Sequence, residues 1–167
     1  INLAVPVDGL LLGANTDVAG VVGPINLFHD HAFDHGPVPN RKIAVIGGGG
    51  AAKAAVFGLS HLNFPKSWRF LVRRPEQGEE LAQQCGGSAE VLPISSASLS
   101  GIDILINASP LGMQGKPRLD LSLDSMGSGT GKPVVFEMVY APLETHLTAA
   151  ARAHNFAVID GLDMLIG

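Results

Sequence analysis

The stretch AVIGGGGAAKAAV, residues 44–56, decides the fold. An apolar run, KIAVI at 42–46, ends in four glycines and passes at once into small helix-forming residues. A run without polar alternation suits a strand buried on both faces of a parallel sheet. Gly47, Gly49 and Ala52 have the spacing G-x-G-x-x-A between that strand and the next helix. In this context a glycine turn binds a dinucleotide pyrophosphate. Gly47 permits the tight turn, and Gly49 lets backbone approach the phosphates. Gly50 and Ala51 present N–H groups at the helix start, where unpaired donors and the helix dipole favour an anion.

Working outward, apolar runs alternate with helical periodicity. WRFLV (68–72), AEVLPI (89–94), DILINAS (103–109), KPVVFEMVY (132–140) and FAVIDG (156–161) read as further strands. AAKAAVFGLSHL (51–62), EQGEELAQQC (76–85) and LETHLTAAARAHN (143–155) read as helices, and LDMLIG (162–167) opens another. SSASLSGI (95–102) is a short helix or turn, and the Gly/Ser-rich segment 113–132 is a loop with one apolar stitch. Alternating strands and helices predict an α/β fold with a doubly wound parallel sheet, a Rossmann-like dinucleotide-binding domain.

The second strand ends at Val72 and is followed by Arg73 and Arg74. An NAD site usually carries a carboxylate near this point for the ribose 2′-hydroxyl. Two guanidinium groups suit a phosphate instead, which favours NADP, although Glu76 is close enough to compete for one of them.

Upstream, LAVPVDGLLLG (3–13) reads as a hairpin turned at Asp8-Gly9, and a helix is predicted over 17–28. Residues 29–40 are polar and turn-rich. His29, His31 and His35 lie there with Asp30 and Asp34, but no rigid element fixes their spacing, so no metal site is assigned. Between hairpin and helix stands GANTDVAG (13–20). Asn15, Thr16 and Asp17 are all helix-capping types, so the Asp17 carboxylate is either a cap or a ligand contact.

Bulk properties narrow the classes. At 167 residues one domain is expected, and 46% apolar against 16% charged residues excludes compositional disorder. A net charge of −4 without a basic stripe argues against nucleic acid. The single Cys85 forms no internal disulfide and fits a reducing cytoplasm. No apolar run approaches the ~20 residues of a membrane span.

These pieces in this order resemble the shikimate dehydrogenase family, specifically its C-terminal NADP-binding domain and the hinge leading into it. The resemblance rests on GANTDVAG (13–20), VIGGGGAAKAA (45–55), INASPLGM (106–113), EMVYAP (137–142) and DGLDMLIG (160–167). It implies reversible oxidation of a shikimate hydroxyl to the ketone of 3-dehydroshikimate, with the hydride passing to the nicotinamide. It also implies a hinge segment over 1–16, a cofactor domain over 17–167, and a separate N-terminal substrate domain that this chain lacks. Asp17 matches the family's catalytic Asp of the N-T-D motif. Its Lys partner belongs to the substrate domain, and none of the five lysines of this chain stands in that motif. Asn2 matches a substrate-contacting hinge Asn, although Leu3 replaces the Thr that follows it.

The resemblance further implies that Tyr140 contacts substrate, Met138 and Met164 lie by the nicotinamide, and Gly161 touches its carboxamide. Arg73 would clamp the 2′-phosphate with Arg74 beside it, in place of the family's N-R-T segment. Ser109 sits in the loop at the carboxyl edge of the sheet, where ligands bind. The chain would end before a substrate-binding Gln and a returning helix, so alone it is expected to turn over little. Other readings are a quinate/shikimate dehydrogenase using NAD, a non-catalytic metabolite-sensing domain of a regulator, and the cofactor half of another two-domain dehydrogenase.

Overall fold

Asp8 and Gly9, both at positive φ (49° and 79°), reverse the chain between β1 (Leu3–Val7) and β2 (Leu10–Ala14). Those φ signs suit a two-residue hairpin turn, and the strands pair antiparallel with Val7 opposite Leu10. Every residue of both strands is exposed, Leu11 at 76%. The computed structural model describes residues 2–32, 40–62, 66–127 and 131–166, with the side chains of 28–32 excepted.

α1 (Thr16–Ala32) runs past Pro24 and four residues beyond the expected end at Phe28. The metal reading of the His-rich segment falls on side chains outside the described residues.

From residue 41 the expected alternation holds: β3 (Arg41–Ile46), α2 (Gly50–Ser60), β4 (Lys66–Val72), α3 (Pro75–Gln84), β5 (Ala89–Pro93), a 3₁₀ turn (Ile94–Ser96), β6 (Ile104–Asn107), β7 (Val134–Glu137), α4 (His146–Ala153), β8 (Ala157–Ile159) and α5 (Gly161–Ile166). The six strands β3–β8 form one parallel sheet in the order β5-β4-β3-β6-β7-β8. Numbered within the sheet this is 3-2-1-4-5-6, with the order reversing between β3 and β6.

Two cores cover the two sheet faces. Val45, Phe70, Ile106 and Phe136 point to the side where α1, α2 and α3 pack through Val21, Val56 and Leu81. Ala44, Ile46, Leu71 and Val135 point to the other side, against Leu147 and Ala151 of α4. That second face is also covered by Leu119, Leu123 and Met126, so the segment between β6 and β7 is stitched down at three points rather than one. α4 starts at His146, later than the predicted 143, because Thr145 and Thr148 form a reciprocal capping box that fixes the boundary. Among the described residues no helix is long and apolar enough to cross a membrane.

Candidate functional site

The β3 strand ends where its two neighbours diverge. Gly47 N–H donates to Leu71 O of β4 at 2.9 Å, and Ala108 N–H, just after β6, donates to Ile46 O at 3.0 Å. Gly47 has φ 103°, and a Cβ there would lie 2.9 Å from Ala108 O. Only glycine meets both conditions. A Cβ on buried Gly48 would collide with Cβ of Gln77 at 2.5 Å. The turn is therefore pressed between the loop after β6 and the start of α3.

Above this turn lies a cleft of about 370 Å³. Its floor is Gly47–Gly49. Arg73, Arg74 and Gln77 form one wall, and Ala108–Leu111 with Lys116 and Pro117 form the other. Among the described residues the lining carries three cations and no carboxylate. Arg73, Arg74 and Lys116 are exposed, and none makes an ion pair within the described residues. α2 begins beside the floor with Gly49 as N-cap, no side-chain cap and no acidic residue in its first turn. Its first N–H groups, those of Gly50 and Ala51 included, lack partners of the kind a cap supplies. A phosphate-bearing ligand complements donors, cations and small residues placed this way.

Of the residues singled out in the sequence, Gly47, Gly49, Arg73, Arg74 and Ser109 thus line one cleft. Lys116 carries no such expectation. Lys116 arrives because its loop folds back: Gly112 N–H donates to Pro117 O at 2.8 Å and Lys116 N–H to Met113 O at 2.9 Å.

A second group forms where the hairpin meets α1. The Asn2 side-chain amide donates to Asp17 Oδ1 and to Thr16 Oγ1, each at 3.0 Å, and its Oδ1 accepts from Thr16 N–H at 2.9 Å. Asn15 caps the helix, its Oδ1 accepting the Asp17 N–H at 3.1 Å. Asp17 is half-buried and its carboxylate serves Asn2 rather than its own helix end.

The third group lies beyond β7. Tyr140 is 60% exposed. Gly161 is buried beneath it: a Cβ would fall 2.7 Å from Val139 O and 2.8 Å from Tyr140 Cα. Met138 and Met164 are half-buried and pack on the first core, Met164 also closing over Gly20 of α1. Asp160 caps α5 through Leu162 N–H (3.0 Å) and Asp163 N–H (3.3 Å). Asn2, Asp17, Tyr140, Met138, Gly161 and Met164 do not line the cleft. The second and third groups are connected by α1 packing on α5.

Behind the cleft wall, buried Glu137 accepts hydrogen bonds from Asn107 Nδ2 (2.8 Å), Val139 N–H (3.1 Å) and Thr145 Oγ1 (2.9 Å). Burial pushes its carboxyl up to about 7, with the three donors pulling the other way. Among the described residues no cluster of three His, Cys, Asp or Glu is placed to hold a metal.

Strand order, glycine turn and switch-point cleft define a Rossmann-type α/β domain. No family model matches the chain. Over 160 residues, 96% of the chain, it is 39% identical to the NADP(+) shikimate dehydrogenase of Sphingopyxis alaskensis, of which it covers 54%. Its fold matches a shikimate 5-dehydrogenase-like protein with a TM-score of 0.76 at 27% identity, covering 98% of this chain and 56% of that one. It also matches a shikimate dehydrogenase crystallised with NADP+, with a TM-score of 0.71 at 28% identity and coverages of 98% and 56%. Along nearly its whole length the chain is similar to shikimate dehydrogenases, and it spans about half the length of the curated relatives it matches.

Proposed function

We propose that this chain is the cofactor-binding part of an NADP-dependent shikimate dehydrogenase, with residues 1–16 as hinge and 17–167 as the NADP-binding domain. The observation that carries the reading is the switch-point cleft, with a glycine floor, Arg73, Arg74 and Lys116 around it, and no carboxylate among its described lining residues. The residues fit the cofactor. The floor has no side chains to exclude a pyrophosphate, and the start of α2 offers N–H donors. The relatives' names and the NADP+-bound neighbour support the same choice.

A bound cofactor would supply a hydride acceptor for the substrate alcohol in its oxidised form, NADP+, and a hydride donor for the ketone in its reduced form, NADPH. The chain's own residues hold and orient. Gly47–Gly49 and the N–H groups of Gly50 and Ala51 receive the pyrophosphate. Arg73 and Arg74 take the 2′-phosphate bidentately, which sets NADP against NAD. Ser109 lines the facing wall, its hydroxyl held by Asn107 and Leu111. Met138, Gly161 and Met164 form the surface for the nicotinamide, and Tyr140 contacts substrate. Asp17, aligned by Asn2, accepts a hydrogen bond from the substrate hydroxyl and keeps the proton-transferring group of the substrate domain in line. The exposed hairpin, with its unpaired edges and apolar side chains, is the face on which a substrate domain completes the fold. The isolated chain binds cofactor and turns over little, because hydride transfer needs donor and acceptor held at roughly 3–3.5 Å.

The test is a chimera joining the upstream portion of the Sphingopyxis alaskensis enzyme to this chain, assayed by NADPH absorbance with shikimate. Turnover abolished by Asp17→Ala supports the reading. A folded chimera that binds NADP+ without turnover with shikimate or quinate favours the metabolite-sensing alternative.

A further inference from the structure

Glu137 sits at the carboxyl end of β7, 1% exposed, directly opposite Asn107 in the β6–β7 register. All three of its hydrogen bonds are donated to it, and the donors come from three different segments. Asn107, from β6, is the donor that leads to the cleft. Its amide donates one hydrogen to Glu137 Oε1 and the other to Leu111 O at 2.9 Å. Its Oδ1 accepts from Ser109 N–H at 3.1 Å and from Ser109 Oγ at 2.7 Å. Ser109 Oγ in turn accepts from Leu111 N–H at 3.2 Å. Ser109 and Leu111 line the cleft, so a single side chain separates Glu137 from its wall. On the other side Thr145 donates its hydroxyl to Glu137 while accepting the Thr148 N–H (3.2 Å) that caps α4, and Val139 N–H ties down the segment leading to Tyr140.

This arrangement has a polarity that suits a carboxylate, since Asn107 Nδ2 and Val139 N–H can only donate to it. Asn107 must turn its amide nitrogen to Glu137 for its oxygen to face Ser109. A neutral carboxyl carries a hydrogen on one oxygen: on Oε1 it confronts the Asn107 amide and the Val139 N–H, which cannot accept, and on Oε2 it forces the Thr145 hydroxyl to turn from donor to acceptor. A glutamine in its place would likewise present a donor to one of them. We infer that Glu137 is a positioning residue: its carboxylate fixes Asn107, and through Asn107 the Ser109–Leu111 wall, in the orientation that receives the dinucleotide. The inference rests on the cofactor reading given above.

Burial places the ionisation of Glu137 at about 7, so both forms are accessible near neutrality. No charged side chain is among the causes of that shift. Asn107 from β6 and Thr145 at the head of α4 are neutral. Tyr140, Glu144 and His146 are exposed, and Asp160, after β8, spends its carboxylate on the start of α5 and toward Arg152 at 3.8 Å.

The test follows backbone amides of this chain by ¹⁵N NMR across pH, with no cofactor present, and then measures NADP+ binding. The amides of Ser109, Leu111 and Val139 are expected to share one transition with its midpoint at about 7. The transition disappears in Glu137→Gln, and in Thr145→Val, which removes one donor to the carboxylate, its midpoint moves up. At alkaline pH Glu137→Gln weakens NADP+ binding by about tenfold, and at acid pH the two proteins converge. Glu137→Asp, which keeps the charge, retains the transition. Amides that stay flat in the parent chain, or titrate identically in Glu137→Gln, overturn the inference. So does an NADP+ affinity ratio between the two proteins that does not change with pH. Absence of NADP+ binding at every pH, with the amide transition intact, overturns the cofactor reading instead.

Discussion

Asn2 donates its side-chain amide to the carboxylate of Asp17 at 3.0 Å, joining the residue before β1 to the first turn of α1. Asn15 caps the helix, which leaves the Asp17 carboxylate turned toward the hinge. The bond is exposed, so its loss costs only about 1 kcal/mol of stability. Asp17→Ala in this chain should therefore leave NADP+ affinity within about twofold of the parent, since Asp17 does not line the cleft. In the chimera that carries the relative's upstream portion, the same change should lower kcat by about 10²-fold or more. Calorimetry on the first protein and steady-state kinetics on the second check the two halves of this prediction.

Gly161 supports Tyr140 from below, and the atoms a Cβ would strike, Val139 O and Tyr140 Cα, belong to backbone. Backbone cannot rotate away as a side-chain end would. Gly161→Ala should destabilise the chain by about 1–3 kcal/mol, read as a lower urea midpoint at unchanged slope.

Lys116 faces Arg73 and Arg74 across the cleft. Lys116→Ala should weaken NADP+ binding by about tenfold at low ionic strength, with the deficit shrinking as salt is added. Lys116→Arg should recover most of the affinity. An affinity unchanged by Lys116→Ala at every salt concentration would remove this residue from the site.

Glu137 makes stability depend on pH in an unusual direction for a carboxylate. Its ordinary value is 4.5 and the folded value is about 7, so between them the folded chain binds more protons than the unfolded one. Stability contributed by this group is thus greatest at acid pH and falls as pH rises through that window, by on the order of 3 kcal/mol at most. Glu137→Gln should flatten that component of the curve. Urea unfolding of both proteins at several pH values between the two limits measures it.

Much of this was legible in the sequence for a physical reason. Strands β6 and β7, and the carboxyl ends of β3 and β4, are buried on both faces, so their apolar runs lack alternation and announce a parallel sheet. The glycine turn was legible because Gly47 and Gly48 are required by contacts set by the fold itself. Asn2 and Asp17 carried a motif, and the hairpin between them brings them to one place. Lys116 was illegible because its position depends on a backbone fold-back between Gly112 and Pro117 within an irregular segment. The Glu137 network was hidden for another reason: its partners, Asn107 and Thr145, meet only once the β6–β7 register is known. The start of α4 was placed early because Leu143 continues the helical periodicity, yet it is 61% exposed and lies outside the Thr145 cap.

The most direct measurement is calorimetric titration of this chain with NADP+ and, separately, NAD+, repeated on Arg73→Ala. The account predicts that NADP+ binds more tightly than NAD+ and that Arg73→Ala removes most of the difference while leaving NAD+ affinity nearly unchanged. Equal affinity for the two cofactors in the parent chain, or a preference for NAD+, would contradict the assignment of Arg73 to the 2′-phosphate and with it the NADP-dependent reading of the site.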